Sequence, residues 1–195
     1  NDEKVGEKNQ IVTVRSINDV PLFSRDEKGA LQNDYGFLMA AFVNENNPNI
    51  DLLLREAINT GVVDSFSGHQ SGTSEVYRQV FAIWNVLQRR GMKYSSITTP
   101  TGDSKRVSSQ YVRFFDDTIE TSQANCIDGT VLFASILRKI GINSKIVMIP
   151  SHAFLGFSLD EDGKNYAFLE TTAMGDVNIN QYNDKKRLRD IFFEK

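Results

Sequence analysis

The chain holds a single cysteine, two histidines, and a glutamate standing where an apolar run gives out. Cys126 lies in "SQANCIDGTVLFASILRKIG", between a polar approach and an almost wholly apolar stretch. Most lone cysteines are small buried hydrophobes. This one falls at the first turn of an expected helix, where unpaired amides and the helix dipole favour thiolate over thiol. The same amides can hold a negative oxygen, so one helix terminus can both activate a nucleophile and supply half of an oxyanion hole.

A thiolate nucleophile needs a base within hydrogen-bond reach, and the base needs an orienting partner. His69 lies in "VVDSFSGHQSGTS", a loop by composition, and its expected role is solvent-exposed or loop-ordering. His152 opens "HAFLGFSL" directly after Pro150-Ser151 and shares strand parity with Phe154 and Gly156. Glu170 closes the next strand-like run in "NYAFLET". The turn "DEDG" fits a type I turn with a glycine bulge at Gly163, an odd loop of three residues. Asp160 then stands opposite Lys164, and Glu170 lies across from Phe154 and diagonal to His152. An even loop would separate His152 and Glu170 onto opposite faces.

These residues must be held by the elements around them. "IVTVRSI" and "YGFLMAAFV" read as short strands, the second buried on both faces. "NNPNIDLLLREAINTG" is a helix with Asn47 as cap, Pro48 at the first position, Asp51 near the positive end and Gly61 as stop. A second helix runs from about Ser74 to Arg90, buries Val76, Val80, Phe81 and Trp84, and stops at Gly91. "KYSSITTPTGDSKRVSSQ" reads as a long surface loop. The helix from near Cys126 to Ile140 is apolar nearly all round and belongs in the middle of a domain. "KIVMI" adds a strand before His152, and the tail "NDKKRLRDIFFEK" is expected to form a terminal helix capped by Asn183. The opening "NDEKVGEKNQ" reads as a frayed end or linker.

A cysteine at the start of a buried helix, a histidine heading the next hairpin and an acid on its second strand resemble the transglutaminase-like superfamily, itself papain-like. The matching stretches are "ANCIDGTVLFASILRKIGINSKIVMI", "SHAFLGFSL" and "YAFLETT", within about Val76 to Gly175. Cys126, Asp128, Gly141 and Ile142 follow the family pattern, and a bacterial branch shares the "CIDGTVLFASIL" helix and "HAF" strand. The resemblance implies an α+β fold in which a central buried helix packs on an antiparallel sheet. It implies residues 71–195 as the core and 1–70 as an extension packed on it. It also makes Cys126 the nucleophile, His152 the general base and Glu170 the residue orienting the imidazole. Two departures from the pattern stand out: Glu170 in "ETT" replaces the usual aspartate, and Asn125 and Ala153-Phe154 replace the glycine and tryptophan often found there.

Gln123, Gln70 and Tyr94 are candidates to complete an oxyanion hole or bind substrate, and spacing does not choose between them. Arg113 has two readings, binding a substrate carboxylate or pairing with Glu120, of which the pairing is favoured; Asp128 is expected to stabilise the helix N-terminus. A single cysteine excludes an internal disulfide and any multi-cysteine metal site. "DEDG" lacks the further ligands of a calcium loop, so no metal and no cofactor is expected.

The 195 residues, 40% hydrophobic with a formal charge of −3, fit one globular domain or a domain with an appendage. The acidic balance argues against nucleic acid; "LQRRGMK" and "DKKRLRD" read as solvated helix faces. No apolar run reaches the roughly 20 residues of a membrane span. The chain begins at Asn1 rather than Met, which fits a removed signal segment or upstream domain. The expected partner is a peptide or protein substrate; compartment and oligomeric state stay open. Two functions compete: a cysteine enzyme that hydrolyses a peptide, isopeptide or other amide through a thioester on Cys126, and an inactive module of the same fold that binds peptide or cell-wall fragments.

Overall fold

The computed structural model describes residues 6–193 except 11, 13, 98–103 and 105. In chain order the elements are β1 (Asp19–Arg25), β2 (Leu31–Asp34), a 3-10 helix (Gly36–Phe42), α1 (Pro48–Asn59), α2 (Thr73–Arg89), β3 (Lys93–Tyr94), β4 (Val107–Tyr111) and α3 (Phe115–Thr121). Then follow β5 (Gln123–Ala124), α4 (Cys126–Lys139), β6 (Ser144–Ile149), β7 (His152–Ser158), β8 (Tyr166–Leu169), a second 3-10 turn (Thr171–Ala173), α5 (Lys185–Leu188) and β9 (Phe192–Phe193). The fold is mixed α+β with antiparallel sheets. One sheet has the order β6-β7-β8-β9 and another β2-β1-β4; β3 and β5 form a short parallel pair.

Helix α4 lies at the centre, as its all-round apolar pattern requires, and every residue from Ile127 to Leu137 is buried. One side joins the main core, where Phe133 packs beside Trp84 of α2. Its first two turns join a smaller cluster through Ile127 and Val131, against Val20, Met39, Val112 and Ala153. Helix α1 is capped by the Asn47 side chain, which accepts from the Asn49 amide, and it buries Ile50, Leu53 and Ala57 in the same core as α2. β1, the 3-10 helix and α1 are thereby tied into the two clusters, with β1 paired to β4.

Several elements differ from the sequence reading. "YGFLMAAFV" is a 3-10 helix, not a strand. Only Met39 and Phe42 are buried in it, three residues apart, and Phe37 is 71% exposed. A continuous apolar run does not distinguish strand from helix; here the three-residue period of a 3-10 helix matches the burial. The expected strand at 11–17 lies partly outside the described residues. Its described part is irregular, and the strand begins at Asp19. The expected loop at 93–110 contains β3 and β4, and its middle lies outside the described residues. The polar "VSSQY" becomes a strand because β1 offers a pairing edge, which overrides weak propensity. In the tail, Asp184 rather than Asn183 caps a helix of only four residues, and Phe192–Phe193 add a strand beside β8.

Gly129, in the first turn of α4, permits a close approach of Thr171 to the helix. A methyl group there would meet Thr171 Cβ and Oγ1 at 2.9 Å. Gly129→Ala should therefore push α4 away from the segment carrying Glu170 and lower stability by about 1–3 kcal/mol, read as a reduced urea midpoint at unchanged slope.

Candidate functional site

Cys126 occupies the first position of α4, directly after its cap. The Asn125 side chain accepts hydrogen bonds from the Ile127 and Asp128 amides at 3.0 and 2.9 Å, and Asp128 accepts from the Asn125 amide at 3.2 Å. This reciprocal box satisfies the helix end without using the Cys126 amide. Asp128 is fully buried and anchors the approach as well. It takes the Arg113 amide at 2.9 Å and the Arg113 guanidinium at 2.6 Å. Asp128 thus stabilises the helix start, as expected. Arg113 pairs with Asp128 and not with Glu120, because the chain entering α3 passes over the α4 N-terminus. The pairing also neutralises a buried carboxylate two residues from the sulfur.

The hairpin carrying His152 and Glu170 has the register that the "DEDG" turn implies. Leu155 pairs with Leu169 and Ser158 with Tyr166, the offset that sets Asp160 opposite Lys164. Gly163 takes φ +66°, and the Asp160 carboxylate accepts from the Lys164 and Asn165 amides. One strand position beyond the ladder, Glu170 reaches His152: Nε2 lies 2.8 Å from Glu170 Oε2. The other carboxylate oxygen accepts from the Thr172 amide at 3.0 Å and the Thr172 hydroxyl at 2.6 Å. Both threonines of "ETT" have work here. Thr172 fixes the carboxylate, and Thr171 packs on Gly129 and reaches the Cys126 carbonyl at 3.4 Å. Burial acts to raise the Glu170 pKa, but the hydrogen bonds from Thr172 and His152 outweigh it and hold the carboxyl below its ordinary range.

With Nε2–H donated to Glu170, the imidazole keeps Nδ1 as its lone-pair nitrogen. His152 and Cys126 border one small cavity of about 120 Å³, whose other walls include Leu22, Met39, Gln110 and Ser151. Cys126 is partly exposed, and no hydrogen bond joins its sulfur to the imidazole across this space. Such contacts are often loose in unliganded sites and tighten in the complex.

None of the three expected accessory residues borders the cavity. Gln70 sits at the opposite end of α4, where the Gly68 loop packs on the Ile140 carbonyl, about 20 Å along the helix from Cys126. Gln123 faces outward on β5 while its neighbour Ala124 is buried, and Tyr94 is 41% exposed beside it. Gln110 of β4 borders the cavity instead. Its Nε2 donates to the Tyr111 carbonyl at 3.1 Å and has a second hydrogen free. It was hidden because its stretch looked like loop. His69 is not solvent-facing; both ring nitrogens are buried without a partner. Gln79 orders that loop instead, accepting from the Ser67 and Gly68 amides.

Among the described residues no three His, Cys, Asp or Glu side chains converge as a metal site, and no helix is long and apolar enough to cross a membrane. No protein-family model, curated protein or solved structure matches the chain.

Arg113→Met should leave Asp128 buried and partly uncompensated, costing about 3 kcal/mol, measurable by urea denaturation. The Glu170 pKa is lower in the folded chain, so its contribution to stability is full above the ordinary glutamate value and is lost as pH falls through the lowered one. Glu170→Gln should remove this acid-side slope, so that wild-type and variant midpoints are separated above the ordinary glutamate range and converge as pH falls below it.

Proposed function

We propose that the chain is a transglutaminase-like, papain-like cysteine acyl-transfer enzyme that hydrolyses a peptide, isopeptide or other amide bond. The observation that carries the reading is the oriented base. Glu170, itself fixed by Thr172, holds the His152 Nε2–H at 2.8 Å, which leaves Nδ1 as the free base beside the cavity that Cys126 borders.

In this mechanism Nδ1 takes the thiol proton, and the sulfur attacks the substrate carbonyl carbon. The carbonyl electrons move to oxygen. Two donors suit the resulting oxyanion: the Cys126 amide, which the capping box leaves unused, and the second Nε2 hydrogen of Gln110. Collapse expels the amine, which leaves with the proton held on Nδ1, and a thioester remains on Cys126. Water then gives its proton to Nδ1, attacks the thioester, and regenerates the thiol as the acid product departs. Glu170 stays ionised throughout and offsets the imidazolium charge. An inactive peptide-binding module is the alternative, and the missing sulfur–imidazole hydrogen bond is the observation that favours it.

Iodoacetamide at neutral pH should modify Cys126 far faster than a free thiol, and His152→Ala should slow that labelling. Labelling at an ordinary thiol rate, unchanged in the variant, would support the binding module. For an activated amide or ester substrate, Gln110→Ala should lower kcat by about 100-fold with little change in KM, measured by steady-state kinetics.

A further inference from the structure

Strand β6 forms one edge of its sheet, and its hydrogen-bonding direction can be read from one contact. The Ser158 amide donates to the Asn143 carbonyl at 2.8 Å, so these residues form a hydrogen-bonded pair. Such pairs alternate along an antiparallel ladder. Lys145, Val147 and Ile149 therefore exchange bonds with β7, whereas Ser144, Ile146 and Met148 aim their N–H and C=O groups out of the sheet. Among the described residues no other strand takes these groups.

Long free edges are normally blunted by charge, proline, a bulge or brevity. β6 has an unbroken six-pair register and no proline. Its one lysine does not guard the edge, because the Lys145 ammonium lies 3.7 Å from the centre of the Tyr166 ring on the sheet face. The far edge of this sheet and one edge of the β2-β1-β4 sheet are short by comparison. β9 has two residues, and β2 is a short polar strand beside a bulge.

A cleft of about 720 Å³ runs beside β6, between it, α4 and the first 3-10 helix. Met39 and Met148 border both this cleft and the small cavity at Cys126 and His152. Phe37 and Met148, 71% and 40% exposed, add apolar surface to its rim.

We infer that the cleft takes an extended polypeptide, which pairs as an added strand with the outward groups of Ser144, Ile146 and Met148 and so delivers its reactive amide to Cys126. The inference rests on the acyl-transfer reading for that last step, while the strand pairing stands without it. The occupant is chosen by continuity: the β6 edge ends at Ile149, opposite His152, so a chain following it arrives at the cavity. Backbone pairing supplies affinity, and alternate side chains of the guest meet the apolar rim.

The test uses Cys126→Ala protein and fluorescent capped peptides of alternating valine and lysine. One has roughly eight residues, enough at ~3.3 Å per residue to span β6 and reach the cavity, and the other about three. The longer peptide should bind at least about tenfold more tightly by anisotropy. Ile146→Pro and Ser144→Pro each remove an outward N–H without touching the ladder to β7, and each should weaken binding about tenfold. A second arm leaves the protein unaltered. N-methylation at alternate residues of the long peptide should abolish binding in one register and spare it in the other. Absent binding, equal affinity for the two lengths, or equal effects of both methylation registers would overturn the inference. A wild-type dimer that Ile146→Pro dissolves would overturn it too, by giving the edge to a second copy. Iodoacetamide labelling of the wild type separates the two readings. An ordinary thiol rate with register-dependent peptide binding retires acyl transfer alone, and a fast rate without such binding retires the strand pairing alone.

Discussion

A helix buried from Ile127 to Leu137 must satisfy most of its first amides within the protein, and nearly everything around Cys126 follows from how α4 solves this. Asn125 and Asp128 close the end reciprocally, and Asp128, once buried, requires a cation. Arg113 meets that need and draws the β4–α3 connection across the helix start. β4 in turn brings Gln110 to the cavity and pairs with β1, which ties the N-terminal elements to the same point. The cap leaves the Cys126 amide free, so structural satisfaction of the helix and a vacant donor beside the sulfur arise from one arrangement.

The second support is contact between backbone segments rather than between charges. Gly129 lets the segment after β8 lie directly on the first turn of α4, with Thr171 against the glycine and Glu170 immediately before it. The acid is thereby held from two directions, by the strand register and by the helix. A glutamate has one more rotatable bond than the aspartate usual in the resembled family. Its conformational cost is met locally by Thr172, whose amide and hydroxyl both bind the same oxygen.

The parts legible in the sequence are those governed by short-range rules. The Asn47 and Pro48 start of α1, the apolar periodicity of α2 and α4, and the parity of the "DEDG" hairpin each depend on neighbouring residues, and each was readable. The His152–Glu170 contact was legible because turn length alone fixes which face each strand residue takes. Features that depend on distant partners were not. β4 is a strand only because β1 lies beside it, so Gln110 was concealed in an apparent loop. Arg113 found Asp128 rather than Glu120 for the same reason. The short tail strand exists only against β8, where composition favoured a longer helix.

The three-residue loop Glu161–Gly163 bears on how this chain can change over evolutionary time. Most single substitutions in that exposed loop leave the parity of the hairpin intact, so the turn can drift in composition while His152 and Glu170 stay in reach of each other. A deletion or insertion of one residue is different: it rotates the whole of β8 by half a pleat, turning Ala167 and Leu169 out of the core as it carries Glu170 to the other face. The core and the His152–Glu170 contact are thus locked to the same loop length, so the contact persists wherever the packing of β8 is kept.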